Sequence, residues 1–204
     1  MKTAKMLYLS KRDVEEVNLP MEEIIEALDE AFTEKGLGKI EMPPKPGIHT
    51  MPDAFIHTMP AYIPSLGPAG IKWVSGYPEN YKRNLPYITG LLILNDPETG
   101  IPISVMDCIW ITAMRTGAAT AVAAKYMANM DSSTVGILGC GVQGRTNLNA
   151  LKIMMPELKD VRAYDISQDA VKLVSIWTRP IRNLQKHRNA YKYVRAKKVH
   201  RHPQ

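Results

Sequence analysis

A glycine-rich stretch, Gly139-Cys-Gly-Val-Gln-Gly144, carries the clearest chemical signal in the sequence. Its spacing suits a dinucleotide, because Gly139 allows a tight strand-to-helix turn, Gly141 lets the backbone approach a pyrophosphate, and Gly144 permits close packing of helix on strand. The anion would then lie at the N-terminus of a helix over residues 145–155. A plain glycine turn is the alternative, but the apolar run before the motif and the helix-compatible segment after it favour a nucleotide site.

A second apolar run, beginning at Val161, ends at Asp165, twenty-one residues after the last glycine of the motif. A carboxylate at this place accepts a hydrogen bond from a ribose 2′-hydroxyl and repels a 2′-phosphate. Ile166 and Ser167 follow it, so no neighbouring arginine compensates. The sequence therefore predicts NAD as the cofactor, in preference to NADP.

Lys72 lies in a run, residues 70–75, that is typical of a β-strand. Because side chains alternate along a strand, Lys72 and Val74 share one face while Ile71 and Trp73 share the other. A lysine aimed across a sheet can reach a bound ligand. The ordinary alternative is an edge residue whose ammonium group extends to solvent.

Arg115 is expected in the first turn of a helix over residues 112–129, rich in Ala, Gly and Thr. There its guanidinium and the free backbone N–H groups would converge on one carboxylate or phosphate. A surface arginine paired with an acidic side chain is the alternative, since a single arginine carries little information.

Metal binding, disulfide bonding and hydrolase chemistry have little support. His49 and His57 are eight residues apart in a proline-rich stretch and match no metal motif. Cys108 and Cys140, the two cysteines of the chain, lack metal-type spacing and are expected as reduced thiols. No serine lies in a nucleophile-elbow pattern. We expect no metal in this protein.

The composition indicates a globular protein with one sizeable core or two small ones, since 45% of the 204 residues are hydrophobic. No apolar run approaches the ~18 residues of a membrane span, and the first ten residues lack the apolar stretch of a secretory signal. These features predict a cytoplasmic location and no membrane association.

The net charge of +6 is unevenly distributed. Residues 172–204 carry 10 Lys and Arg and no acidic residue, whereas residues 1–171 carry 16 Lys and Arg against all 20 Asp and Glu. Nucleic-acid binding by the body is therefore not expected. A basic helix in the tail, with Ile181, Leu184, Tyr191 and Val194 as a thin apolar stripe, leaves RNA or an acidic membrane as a less favoured partner of the tail.

The remaining patterns predict an α/β protein. Residues 7–9 form a short strand candidate, and Ser10 and Asp13 form a capping-box variant that opens a brief helix. An amphipathic helix follows, whose stripe comprises Met21, Ile24, Ile25, Leu28 and Phe32. Residues 90–95 and 101–106 flank a turn composition, which predicts a hairpin. Residues 131–133 form a linker into the strand before the glycine loop.

Three ordered motifs resemble the ornithine cyclodeaminase/mu-crystallin family: Gly70-Ile-Lys-Trp-Val-Ser-Gly-Tyr-Pro-Glu-Asn80, Thr112-Ala-Met-Arg-Thr116 and the glycine loop. The resemblance covers about residues 5–171. It implies a mixed α+β substrate and dimerisation domain over residues 1–130, the start of a Rossmann NAD-binding domain over residues 131–171, and an atypical basic tail over residues 172–204.

The resemblance also implies roles for single residues. The positions matching those that hold the substrate carboxylate and the reacting centre are Lys45, Lys72 and Arg115, of which Lys72 would be catalytic. The positions matching cofactor contacts are Arg115, Thr116, Val142, Gln143 and Asp165, beside the three motif glycines Gly139, Gly141 and Gly144.

The function implied is an NAD-dependent oxidoreductase or lyase of amino-acid metabolism, acting on a small amino or imino acid as a homodimer formed through the N-terminal domain. In the ornithine version, Cα is oxidised, the terminal amine attacks the resulting imine, ammonia leaves and the hydride returns to give proline. The alternative is a non-catalytic binding or structural protein like mu-crystallin.

Two departures from the family pattern qualify this implication. Tyr87 stands where many members have a small hydroxyl residue near the cofactor. The resemblance is expected to end near Lys172, so that only a strand, a helix and a strand of the nucleotide domain are present. The family's acidic catalytic residue then has no counterpart, and a truncated form of the enzyme is expected.

Overall fold

The computed structural model of the chain describes residues 5–177 and 184–186. It divides into two compact units, Met1–Arg115 and Thr116–Gln204. The first is a mixed α+β unit and the second a parallel α/β unit, which confirms the expected fold class. The division lies earlier in the chain than residue 130, and the domain boundaries expected from the sequence stay predictions.

The first unit is built on a six-stranded sheet with two helices before its second strand. The elements are β1 (Leu7–Leu9), α1 (Lys11–Val17), α2 (Met21–Gly36), β2 (Gly47–Ile48), β3 (Phe55–Tyr62), β4 (Ala69–Gly76), β5 (Ile88–Asn95) and β6 (Pro102–Asp107). Short 3-10 turns lie at Pro64–Leu66 and Pro78–Arg83. The strand order is β1-β6-β5-β4-β3-β2, antiparallel except that β1 runs parallel to β6. The predicted hairpin of β5 and β6 is confirmed.

Local sequence accounts for both early helices. The Ser10 hydroxyl accepts the Asp13 N–H at 3.3 Å, and Asp13 Oδ2 accepts the Ser10 N–H at 2.7 Å, so the expected capping box opens α1. In α2 the stripe is buried at Met21, Ile24 and Ile25. Phe32, at the C-terminal end of the stripe, is about half exposed, so the described residues bury only the N-terminal part of this helix face.

The two faces of β4 differ as the alternation predicts. Lys72 and Val74 are buried, with 8% and 6% of their surface exposed. Ile71 and Trp73 on the opposite face are 41% and 46% exposed. The alternation therefore sorts the lysine onto the covered face of the sheet, and the outward face carries apolar side chains.

The third helix, α3 (Ile109–Met127), begins earlier than the sequence indicated. Asp107 Oδ1 accepts the Ile109 N–H at 2.8 Å and caps the helix, which starts three residues before Thr112. Arg115 therefore lies in the second turn, where backbone N–H groups already bond within the helix. The expectation that Arg115 lies beside free N–H groups of the first turn was wrong, because the β-branched and aromatic residues before Thr112 concealed the helix start.

The second unit contains β7 (Thr134–Leu138), α4 (Val142–Met154), β8 (Asp160–Tyr164), α5 (Gln168–Trp177) and β9 (Leu184–Lys186). The three strands are parallel in the order β7-β8-β9. This is a βαβαβ arrangement, so the expectation of only a strand, a helix and a strand was wrong. Val171 and Val174 of α5 are buried in one core cluster with Leu148 and Val161, which explains why the fold continues beyond residue 171.

The structure contradicts the basic helix expected in the tail at one of the four residues of its apolar stripe. Leu184 lies in the strand β9, not in a helix. Ile181, Tyr191 and Val194 lie outside the described residues.

Candidate functional site

Lys72 projects from β4 toward the N-terminal part of α3. Its Nζ donates a hydrogen bond to Thr112 Oγ1 at 3.5 Å. Burial first, and then the nearby positive charge of Arg115, lower the pKa of the Lys72 ammonium to about 8. Lys72 is buried, so its ammonium group does not extend to solvent as the edge-residue alternative requires, and its lowered pKa suits exchange of a proton.

Arg115 lies on α3 three residues after Thr112, a spacing that places both on neighbouring positions of one helix face. Its Nε is buried and has no hydrogen-bond partner among the described residues. Burial also lowers the pKa of the Arg115 guanidinium, although an arginine stays charged in a protein. A buried cationic donor atom without an acceptor among the described residues fits a site that an anionic ligand completes.

Cys108 and Thr112 complete the surroundings of these cations, and the sequence reasoning did not select either of them. The Thr112 hydroxyl donates to Cys108 Sγ at 3.8 Å, and Cys108 Sγ donates to the Trp73 carbonyl at 3.9 Å. Burial raises the pKa of the Cys108 thiol, which keeps it protonated. The four-residue spacing between Cys108 and Thr112 on a helix was the available signal.

Lys45 is exposed on the segment between α2 and β2. Its positive charge lowers the Lys72 pKa, less than burial and Arg115 do. The structure therefore brings the three predicted cations, Lys45, Lys72 and Arg115, to one region of the first unit.

Tyr87, which departs from the family pattern, is exposed, and its carbonyl accepts the Tyr77 N–H at 2.9 Å.

The two histidines of the first unit are held by their own neighbours. His49 Nδ1 lies 3.0 Å from the Ala54 carbonyl oxygen, and the His57 ring stacks on Phe55 with 4.4 Å between centroids. Among the described residues, no three His, Cys, Asp or Glu side chains are grouped so that they could hold a metal ion.

The glycine loop of the second unit joins β7 to α4, and its three glycines differ in what they do. Gly139 has a φ of +92°, the left-handed conformation that the tight turn requires. A Cβ at Gly144 would collide with the Gly139 carbonyl oxygen, so Gly144 permits the close packing of α4. Gly141 has an ordinary φ of −67°, and a Cβ there would meet none of the described residues within 4 Å. The space beside Gly141 is open to a ligand.

Asp165, at the end of β8, is tied to this loop. Its Oδ2 accepts the Cys140 N–H at 2.7 Å, and its Oδ1 accepts the Ser167 N–H at 2.8 Å. These bonds, the one from Ser167 first and the one from Cys140 next, hold the pKa of the Asp165 carboxyl below its usual value. A carboxylate oxygen has more than one lone pair, so Asp165 can accept a ribose hydroxyl as well.

The remaining predicted cofactor residues lie at the N-terminus of α4 and on α3. Val142 and Gln143 open the helix and are exposed, while Thr116, on α3, is partly buried. The first N–H groups of a helix lack partners within it and attract anions, and the first turn of α4 contains no acidic residue. The arrangement suits a pyrophosphate at this end of the helix.

The sequence matches a model of the ornithine cyclodeaminase/mu-crystallin family over residues 4–191. The match extends further than about residue 171, where we expected the resemblance to end, and that expectation was wrong. The additional residues include most of α5 and the strand β9, which continue the parallel α/β fold.

Among the curated relatives, the alanine dehydrogenase of Archaeoglobus fulgidus is 42% identical over 166 residues, which are 81% of this chain and 50% of that protein. A solved structure of a Thermococcus litoralis Δ1-pyrroline-2-carboxylate reductase in complex with NADH and L-proline is 39% identical, with a TM-score of 0.82 over 89% of this chain and 56% of the other. An archaeal alanine dehydrogenase dimer with bound NAD is 38% identical, with a TM-score of 0.81, covering 89% of this chain and 55% of that one.

The chain spans about half the length of the curated relatives it matches. None of the helices in the described part of the chain combines the length and the apolar character that crossing a membrane requires.

Proposed function

Since this chain belongs to the ornithine cyclodeaminase/mu-crystallin family, we propose that it acts as an ornithine cyclodeaminase-like, NAD-dependent enzyme on a small amino or imino acid. The observation that carries the proposal is the cation pair of the first unit, in which the buried Lys72 has a lowered pKa and the buried Nε of the partly buried Arg115 has no partner among the described residues. Such a pair suits a ligand with a carboxylate beside a reacting nitrogen.

Arg115 binds the substrate carboxylate in this proposal, because a guanidinium supplies paired donors that match a carboxylate. Lys45 adds positive charge from the exposed side of the same region. Lys72 moves a proton at the substrate nitrogen: near pH 8 its amine is present in both protonation states. Thr112, which accepts from Lys72 Nζ, orients that amine.

NAD is the proposed cofactor, and when bound it supplies the acceptance and return of a hydride at the substrate Cα. The residues that would hold it are the loop glycines 139, 141 and 144, Val142 and Gln143 at the start of α4, Asp165, and Thr116 with Arg115 on α3. The loop fits the group, since Gly141 borders open space and Gly139 adopts the turn conformation. The carboxylate of Asp165 favours NAD over NADP.

A homodimer formed through the first unit is part of the proposal. Ile71, Trp73 and Leu91 lie on the outward face of the sheet, and each is 40% exposed or more. Trp73 pairs directly with Leu91 in the register of β4 and β5, so these side chains form one apolar area of the kind that protein interfaces cover. The similar archaeal alanine dehydrogenase with bound NAD is a dimer. A cytoplasmic location stays a prediction from the sequence.

The test combines binding with turnover on the purified 204-residue chain. Calorimetric titration is expected to detect NAD binding, and NADH formation is measured with ornithine, proline and alanine, with ammonia release followed for ornithine. The control variant Lys72→Met should retain NAD binding and lose turnover. An absence of NAD binding would overturn the proposed cofactor. NAD binding without turnover of any of these substrates would favour the non-catalytic, mu-crystallin-like alternative.

A further inference from the structure

The main chain of Cys140, in the middle of the glycine loop, is held from two sides. Its N–H donates to Asp165 Oδ2 at 2.7 Å, and its carbonyl oxygen accepts from Arg145 Nη1 at 2.9 Å. The side chain is fully buried, with Sγ 3.6 Å from the Tyr164 carbonyl oxygen. The sequence reasoning assigned a role to Asp165 and none to Arg145.

Arg145 contacts two successive carbonyl groups of the loop. Its guanidinium donates to the Cys140 carbonyl, and its backbone N–H donates to the Gly141 carbonyl at 3.2 Å. The second bond is part of the helix start, which any residue at this place can make. The first bond depends on the arginine side chain, and a charged donor makes it stronger than a bond between neutral groups.

The hydrogen bond to the Cys140 carbonyl also fixes the direction of the Gly141 N–H. The Cys140 carbonyl and the Gly141 N–H belong to one planar trans peptide, in which C=O and N–H point in opposite directions. A guanidinium that holds the carbonyl on one side therefore directs the Gly141 N–H to the other side. Gly141 borders the open space where the proposed function places the pyrophosphate.

We propose that Arg145 is a positioning residue of the nucleotide loop: it holds the Cys140 carbonyl so that the Gly141 N–H is directed at the cofactor pyrophosphate before the cofactor binds. The inference rests on the proposed NAD site. It differs from a direct contact between Arg145 and phosphate, because the guanidinium acts through the peptide of the loop. A loop oriented in advance binds more tightly, since less ordering is required on binding.

The test uses Arg145→Met, which removes the donor and retains an apolar stem. The matched control is Arg162→Met, which removes the same charge from an exposed position on β8. The first measurement needs no cofactor. Cys140 is buried, so its alkylation by iodoacetamide, resolved by peptide mass spectrometry, reports opening of the loop. Arg145→Met is expected to accelerate Cys140 alkylation by about tenfold, the factor for loss of one charge-assisted hydrogen bond, and Arg162→Met should leave the rate unchanged.

Hydrogen exchange separates a loop effect from a general loss of structure. Arg145→Met should lower protection at residues 139–144 and leave β7 and β8 protected as in the unsubstituted chain. Equal loss of protection across the loop and both strands would overturn the inference, because Arg145 would then stabilise the whole unit. An unchanged Cys140 alkylation rate would overturn it too.

The second measurement is NAD affinity at low and high salt. Arg145→Met is expected to weaken NAD by about tenfold, and the ratio to the unsubstituted chain should stay constant as salt rises, because the lost interaction is within the loop. A ratio that shrinks with salt would show a screened contact with phosphate and would contradict the positioning role. If the unsubstituted chain binds no NAD, the proposed cofactor fails, whereas alkylation and exchange still decide whether Arg145 holds the loop.

Discussion

The glycine loop and the buried cation pair are constructed in opposite ways. The loop presents backbone N–H groups within a short stretch of sequence, and its shape follows from Gly139 and Gly144. The cation pair consists of two charged side chains, Lys72 on β4 and Arg115 on α3: the Lys72 ammonium donates to Thr112, and the buried Arg115 Nε has no partner among the described residues. A backbone site tolerates little change in shape, and a site of buried charges tolerates little change in charge. Substitutions should therefore affect the two sites in different ways.

The largest expected effect is on the loop. Gly141→Val should weaken NAD by at least about a hundredfold, because a branched side chain blocks approach of the pyrophosphate to the backbone. The φ of −67° and the open space beside Gly141 mean that the fold itself accepts the valine. Calorimetry and a melting curve of the same sample check this prediction. Unchanged affinity would mean that the loop is only a turn.

Gly144→Val provides the contrast within the loop. Its Cβ would collide with the Gly139 carbonyl oxygen, so this variant should lower the melting temperature as well as the affinity. Equal melting temperatures of the two variants would contradict the separate roles of these glycines.

The next effect concerns charge in the first unit. Arg115→Met should weaken carboxylate ligands by about 2 kcal/mol, since it leaves a ligand carboxylate without its paired donor. Stability should stay similar or rise, because the buried guanidinium Nε has no partner among the described residues to lose. Ligand affinity by calorimetry and melting temperature are compared with Arg83→Met, an exposed control. A variant that unfolds without a selective loss of carboxylate affinity would show that Arg115 is structural.

A moderate effect is expected on the pH dependence of stability. The Lys72 pKa falls from 10.5 to about 8 on folding, so the unfolded chain binds more protons between these values. Stability therefore rises as the pH increases from about 8 toward 10.5, and the cost of burying the ammonium is fully present below about 8. In Lys72→Met, the increase in the free energy of unfolding over this pH range should be smaller by about 2 kcal/mol, after allowance for solvent screening. Denaturant unfolding of both proteins at several pH values measures it, and parallel pH profiles would contradict the prediction.

The smallest effect is expected at Asp165. The chain should bind NAD more tightly than NADP, and Asp165→Asn should reduce that preference by roughly tenfold, since the amide no longer repels a 2′-phosphate. The asparagine retains one oxygen that can accept the Cys140 N–H, so the bond from Asp165 to the glycine loop should persist, whereas the bond from the Ser167 N–H is lost. Competition binding of the two nucleotides is the measurement. Tighter binding of NADP by the unsubstituted chain would contradict the assignment of NAD.

The sequence predicted the local structure of the glycine loop better than that of the cation pair. The turn at Gly139, the packing at Gly144 and the strand ending before Asp165 all depend on residues close in sequence, and the structure has them. The expectation for Arg115 was wrong in its position on α3, because an aspartate cap outside the expected helix set the start. The extent of the parallel fold was underestimated, because the pairing of β9 with β8 joins residues twenty-three positions apart, such as Val161 and Leu184.

Alternation along β4 was sufficient to place Lys72 and Val74 together on one face, and the spacing of the glycines was sufficient to indicate a loop for a nucleotide. Both patterns depend on backbone periodicity, which acts over a few residues. The sequence could not show that Lys72 meets Thr112 across forty residues, that the Arg115 Nε is buried without a partner among the described residues, or that Arg145 holds the Cys140 carbonyl. Those features arise only when separate elements pack, since burial sets the cost of a charge and packing decides which acceptor a donor can reach.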